Sequence, residues 1–277
     1  MANTRELRRR IKSVKNTSQI TRAMEMVAAT KMKRAQNQAI SGRPYKENLY
    51  SSLARLLPKI DQESHPLLVG NGSKTAGVVL LSTDKGLVGA LNTNLIRTLV
   101  GSTNAIYYTV GKKGRSFVVK TGKELAGDFE NRDSVTFRQA VQLTKMITDA
   151  FNAGEIGEVY LVYPQFISTL KQEAKKVKLL PISLESIETV YTKEFLFEPN
   201  VDALLDFILM HHIETQIYQA LLETKASEHS SRMVAMKNAT DNAKELVEDL
   251  TLTYNQTRQD AITKEILEIS SASVAIE

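Results

Sequence analysis

At 277 residues the chain fits one large domain or a medium domain with an extension, and having no Cys it can form neither disulfides nor thiolate metal sites, so a reducing cytosol is the default. It has no window of about 20 apolar residues, and its basic N-terminal stretch lacks the apolar run of a secretory signal, so it is not expected to span a membrane. Net charge is +5 but unevenly spread: residues 1–34 hold ten basic and two acidic side chains, and residues 200–277 hold six basic and thirteen acidic.

Residues 3–57 read as a helix with two apolar stripes. Leu7, Ile11 and Val14 form the first; Ile20, Met24 and Val27 form the second, well around the cylinder from it. One partner helix cannot cover both. Ser41-Gly42-Arg43-Pro44 predicts a kink or an interruption, and Pro58 the helix end. A polar, Gly-containing connection runs from Asp61 to Thr75. Ala76–Ser82 is a continuous apolar run suited to a buried parallel strand, followed by a turn over Thr83–Ala90 and a helix over Leu91–Val100. Next come strand Ala105–Val110, a short helix near Lys113–Lys120, helix Phe137–Asn152, strand Glu158–Tyr163 and a more exposed strand near Glu173–Leu180. Thr189–Pro199 leads into the last segment. The alternation predicts a small Rossmann-like α/β domain with a mainly parallel sheet.

Asn200–Glu277 contains neither Gly nor Pro. As one helix it would be a rod on the order of 115 Å long, more than a compact domain can bury. Met233, Met236, Thr240, Ala243, Val247, Leu250, Tyr254, Thr257 and Ala261 recur at alternating steps of three and four, the spacing of a coiled-coil seam. With Ala and Thr at many positions, the seam should pack closely but weakly. The two long helices leave the α/β domain at Pro58 and Pro199, so they should run side by side and antiparallel, and their opposite charges favour pairing. The C-terminal one then overhangs by about 23 residues, roughly 35 Å. Ile262, Ile266, Ile269 and Ile276 leave an apolar stripe on that tip, which needs a receptor. The expected divisions are an N-terminal coiled-coil helix over 1–58, an α/β foot over 59–199, and a C-terminal helix with a projecting tip over 200–277.

No motif adds up to a catalytic site. Gly70-Asn71-Gly72-Ser73-Lys74-Thr75 imitates a phosphate loop but has Ser73 where Gly is needed, and it precedes its strand. Gly86 and Gly89 read as a tight turn, because no GxGxxG spacing is present. His211 and His212 lack metal-ligand spacing and point roughly 100° apart on a helix, so one should be packed and the other solvated. Asp84 could serve as an acid at a strand end but has no catalytic partner. The basic N-terminal helix could neutralise phosphates, yet residues 1–34, where the charge is clustered, contain no aromatic residue to stack on bases, which favours an acidic protein partner over nucleic acid.

Three stretches together resemble the γ subunit of the bacterial F-type ATP synthase. The first is Ile11-Lys12-Ser13-Val14-Lys15-Asn16-Thr17 running into Ile20-Thr21-Arg22-Ala23-Met24-Glu25-Met26-Val27-Ala28-Ala29-Thr30-Lys31-Met32. The second is Ser82-Thr83-Asp84-Lys85-Gly86-Leu87-Val88-Gly89-Ala90-Leu91-Asn92. The third spans Ser227-Glu228-His229, Arg232-Met233-Val234-Ala235-Met236-Lys237, Ala239-Thr240-Asp241-Asn242-Ala243 and Ile262-Thr263-Lys264-Glu265. Val88 stands where relatives frequently have Cys, and Ser271-Ala272 replaces a Gly-Ala step. No Cys-pair insertion is present, so thiol regulation is not expected.

The resemblance implies a non-catalytic rotor shaft that binds no cofactor or metal itself. It implies an antiparallel coiled coil, one copy per complex, inside a ring of three α and three β subunits. The foot would rest against subunit ε and the c-ring, the only link to the membrane, on the cytoplasmic face of the bacterial inner membrane. By the same resemblance Arg258 and Gln259 touch a catch loop of β, with Thr263 and Glu265 in that contact region. Ile262, Ile266 and Ile269 would enter an apolar sleeve, and Met24 would lie in a collar facing acidic β loops. The shaft would couple c-ring rotation to the β catalytic sites and regulate ATPase activity and proton flow. The alternative is a coiled-coil adaptor or nucleic-acid scaffold with no rotary role.

Overall fold

The chain begins with helix α1 (Ala2–Leu56) and ends with helix α6 (Val201–Val274), of 55 and 74 residues. Between them lie α2 (Pro66–Val69), β1 (Ala76–Leu81), α3 (Leu91–Arg97), β2 (Ala105–Val110), α4 (Lys112–Lys120), β3 (Glu124–Phe129), α5 (Phe137–Asn152), β4 (Glu158–Phe166) and β5 (Gln172–Leu180). This computed structural model describes residues 2–56, 65–99, 104–182 and 201–274. The helix end expected at Pro58, the segment Thr189–Pro199 and Ile276 lie outside them. The chain divides into two compact units, Met1–Ala28 with Arg232–Glu277, and Ala29–Ser231.

In the larger unit the strands form one sheet of order β3-β2-β1-β4-β5. The first four are parallel, and β5 returns antiparallel to β4. β1 is buried on both faces, so its alternate residues serve different layers. Val79 and Leu81 join Leu143, Ile147 and Phe151 of α5 and Leu209, Ile213 and Ile217 of α6. Val78 and Leu80 join Leu95 and Leu99 at α3 and Val118 of α4.

Three expectations change. β3 is a strand the sequence reading did not contain: it alternates exposed and half-buried residues at the sheet's edge, and its Gly127, Glu124 and Asp128 mask the pattern. β4 runs three residues past Tyr163, through Pro164. Proline is tolerated there because pairing with β1 has stopped at Val162, so the missing N–H faces no partner strand. Finally, α1 is not interrupted at Pro44. Gln219 Nε2 donates to the buried Ala39 carbonyl at 2.8 Å, in the turn before the proline. Gly42 makes room for it, since a Cβ there would lie 2.6 Å from Gln219 Oε1.

Within this unit α1 and α6 are antiparallel: Ala39 meets Gln219, and Tyr45 Oη lies 2.6 Å from His211 Nε2. The smaller unit is the coiled coil predicted from the heptad seam. Met236, Thr240, Ala243 and Leu250 are buried, and Met233, Val247, Tyr254, Thr257 and Ala261 are half-buried. On α1 the first stripe is covered and Thr21 Oγ1 lies 2.8 Å from Thr240 Oγ1, while Ile20 and Val27 of the second stripe stay 61% and 58% exposed.

Two predictions follow from these contacts. Gly111 has φ +99°, and a Cβ there would drive into the Ser82 carbonyl, whereas Gly122 has φ +65° with open space around it. Gly111→Ala should therefore cost more than about 2 kcal/mol in urea unfolding, and Gly122→Ala only about 1. The second concerns His212, which is buried and whose Nε2 lies 2.6 Å from Gln216 Nε2, a contact that requires an unprotonated ring nitrogen. Burial, reinforced by the Lys46 charge, pulls its pKa down to about 4. The unfolded chain takes up that proton near pH 6.5, so this contribution is complete above about 6.5 and is lost as pH falls towards about 4, by up to about 3 kcal/mol. His212→Leu should flatten the pH dependence of unfolding in that window.

Candidate functional site

In an open α/β sheet, ligands bind outside the C-terminal ends of the parallel strands, where the strand order reverses. In this sheet that place is the end of β1, flanked by β2 and β4. It is filled by α6. Ser231 Oγ donates to Val88 O at 2.6 Å, Ser227 Oγ to Pro164 O at 2.9 Å and Ser230 Oγ to Thr169 O at 2.6 Å. Lys225 Nζ donates to Asn131 O at 2.8 Å and pairs with Glu228 Oε2 at 3.2 Å. Asn131 Nδ2 donates to Ser82 O at 2.6 Å and to Glu228 Oε2 at 3.3 Å.

The remaining motif residues take structural posts. Asp84 Oδ1 accepts the Lys112 N–H at 2.9 Å, which places a carboxylate at the start of α4. Gly89 turns at φ +54° beside the 60%-exposed Leu87, itself at φ +61°. Asn71 Nδ2 donates to Phe151 O and Ile156 O, which fastens the Gly70–Thr75 loop to the end of α5. Of the two histidines His212 is the packed one, while His211 is half-exposed, stacks on Phe207, meets Phe137 and Tyr45 edge-on or tilted, and has its Nδ1 3.2 Å from Glu214. The sequence reading missed this ring cluster because it joins α1, α5 and α6. A cleft between α1, α6 and the end of β4 is lined by Arg43, Lys46, Glu47 and Glu223, with Lys46 held below the ordinary lysine pKa by burial. Among the described residues, no His/Asp/Glu group is placed to hold a metal ion, and no helix is long and apolar enough to cross a membrane.

The residues expected to meet partners all lie in the smaller unit. Counting outward from the Thr21–Thr240 pair, the start of α1 falls level with about Gln259. Past that point α6 continues to Val274, with no second helix beside it among the described residues. Arg258, Gln259, Thr263 and Glu265 are exposed there, as are Ile262, Ile266 and Ile269 at 43%, 60% and 72%. Thr263 Oγ1 is turned back onto the Gln259 carbonyl at 2.9 Å. Leu267, absent from the expected stripe, is 63% exposed and widens the apolar tip beyond one line. Met24 stands apart from these, about 30 Å back along the coil, half-buried among the exposed Ile20, Met26 and Val27. Near it Arg22 pairs with Glu25 at 3.1 Å.

A family model described as ATP synthase matches residues 3–276. Among curated relatives, the ATP synthase gamma chain of Opitutus terrae is 42% identical over 99% of both chains. That of Methylacidiphilum infernorum is 44% identical over the whole of both, and that of Desulfitobacterium hafniense 41% over the whole of both. Among solved structures, a chain of the Euglena gracilis mitochondrial ATP synthase matches with TM-score 0.71 at 20% identity, covering 99% of this chain and 95% of that one. A chain of the Tetrahymena thermophila mitochondrial ATP synthase central stalk and c-ring gives TM-score 0.62 at 24% identity, over 79% of this chain and 99% of that one. These last likenesses carry the fold, whose long paired helices and mainly parallel sheet they share. The near-complete coverage by relatives more than 40% identical carries the rest: the chain belongs to the family of ATP synthase gamma chains.

Proposed function

We propose that this chain is the central rotor shaft of a bacterial ATP synthase, a non-catalytic subunit present once per complex. The carrying observation is a helix of 74 residues that starts in the core of an α/β unit and ends in a bare apolar tip. An exposed apolar end is a liability in water and an asset in an apolar socket. We assign that socket to a ring of α and β subunits, with Ile262, Ile266 and Ile269 seated in it. Arg258, Gln259, Thr263 and Glu265 contact β at its mouth. Met24, with Ile20 and Val27, faces the β subunits lower down. The α/β foot, assigned to 59–199, rests on ε and the c-ring at the cytoplasmic face of the membrane, and the helices of 1–58 and 200–277 form the shaft. The adaptor or nucleic-acid scaffold falls away, since the relatives named above are ATP synthase gamma chains.

The mechanism is differential binding. A shaft changes a β subunit's conformation only if it binds that subunit's states with different free energies, and a side chain on one face of a single helix meets the three β subunits in turn. Each charge crossing the membrane supplies about 2.3 kcal/mol per 100 mV, so several are pooled for each ATP. The shaft must hold that energy while it turns.

Reconstituting the complex with and without this chain tests the reading. With it, ATP hydrolysis should drive proton pumping; without it, any residual hydrolysis should pump nothing. Pumping by the complex lacking the chain would sink the proposal, and the chain alone should hydrolyse no ATP. The seam of small residues gives the coil its elastic twist. Ala243→Leu with Thr257→Leu should therefore change the torsional stiffness of the rotor in single-molecule rotation, and an unchanged stiffness would remove that part.

A further inference from the structure

α6 changes character where it passes the ends of the strands. From Leu205 to Leu221 it buries an ordinary apolar stripe: Leu205, Leu209, Ile213, Ile217 and Leu221. The next turns bury Glu223, Thr224, Lys225, Ser227, Glu228, His229 and Ser230, none more than 6% exposed. Burying a Lys–Glu pair is a poor way to gain stability, because the desolvation penalty offsets the attraction and apolar residues of similar volume do as well or better. Some other property of these contacts has to account for them.

That property is direction. Apolar contact is indifferent to small rotations, whereas a hydrogen bond weakens steeply as its angle departs from linear. The bonds from this stretch reach Val88 after β1, Asn131 after β3, Pro164 near the end of β4 and Thr169 in the turn to β5. Asn131 is itself fixed to Ser82 at the end of β1. At roughly 100° per residue, Lys225, Ser227, Glu228, Ser230 and Ser231 point in several directions around the helix axis. A helix held from several azimuths can neither roll nor slide.

We infer that Lys225, Glu228 and Asn131, with Ser227, Ser230 and Ser231, form a torque clamp that fixes α6 against rotation about its own axis. They are positioning residues, acting through the helix they hold. The crevice that would bind a ligand in a related sheet is used instead to grip the helix. This inference rests on the rotor reading above.

The test uses the reconstituted complex and two variants of this chain. Lys225→Met with Glu228→Leu replaces the buried pair by apolar volume, and the Ser227→Ala, Ser230→Ala, Ser231→Ala triple variant removes three directed bonds while keeping the packing. Torsional stiffness is read from thermal fluctuations of a bead on the rotor, alongside protons pumped per ATP and the melting temperature of the complex. In each variant stiffness and pumping per ATP should fall roughly twofold or more with unloaded ATP hydrolysis nearly unchanged, while the carbonyls left without a donor lower the melting temperature by only a few degrees, roughly, well above the temperature of the assay. Unchanged stiffness in assembled variants overturns the clamp. So does failure of both variants to assemble, which would make the stretch a folding element only. A wild-type complex in which this chain does not rotate would instead overturn the rotor reading, so the two failures are distinguishable.

Discussion

Along α6 the environment changes twice while the helix does not. Its Leu and Ile stripe closes one face of the sheet, its next turns fill the crevice at the strand ends with polar side chains, and from Met236 it offers small residues to α1. A break at either change would separate the gripped part from the part that reaches out. The chain meets that constraint by excluding Gly and Pro from all of residues 200–277. Propensity allows such a helix but does not hold it in place, and beyond about Gln259 no neighbouring helix among the described residues does either. The tip therefore depends on what lies upstream.

The two units are held by different physics. In the larger one, Tyr107, Phe151, Leu143 and Ile147 are fully buried between layers, and burial at this scale contributes about 25 cal/mol per Å² of apolar area. In the smaller one the buried positions among the described residues are Thr21, Ala28, Met236, Thr240, Ala243 and Leu250, so much less area is removed from water. Close approach of the backbones is the compensation, and the Thr21–Thr240 contact at 2.8 Å is possible only with small residues around it. Stability is thus concentrated at the sheet. The coil, with fewer buried apolar groups, is where compliance is expected.

Much of this was legible in the sequence because it is periodic. The heptad seam on α6, the two stripes of α1 and the buried run of β1 are patterns of one residue type at one spacing, and each appears in the structure at the predicted positions. What escaped is not periodic. β3 is a short polar edge strand, stabilised by its place beside β2 and not by its composition. The unbroken path of α1 through Pro44 runs against the local helix rule, and the Gln219 contact with the turn before it joins residues far apart in sequence. His211 is held by rings from three helices, and a single sequence does not pair them. The tip residues were identifiable as bare from the helix lengths alone, whereas Leu267 went unnoticed because it falls off the Ile stripe.

The polar stretch of α6 does not announce its burial. Lys225, Ser227, Glu228, Ser230 and Ser231 are of residue types that are mostly exposed, so composition alone points to solvent. Their burial becomes sensible only once the strand order brings three loops and the end of β4 to one edge of the sheet, each with a carbonyl needing a partner. A doubly wound sheet opens a crevice at that edge whatever its function, and what enters the crevice decides the use. A nucleotide there would make a catalyst or a carrier. A helix there makes the sheet a mount, and the chemistry moves to whatever the other end of the helix touches.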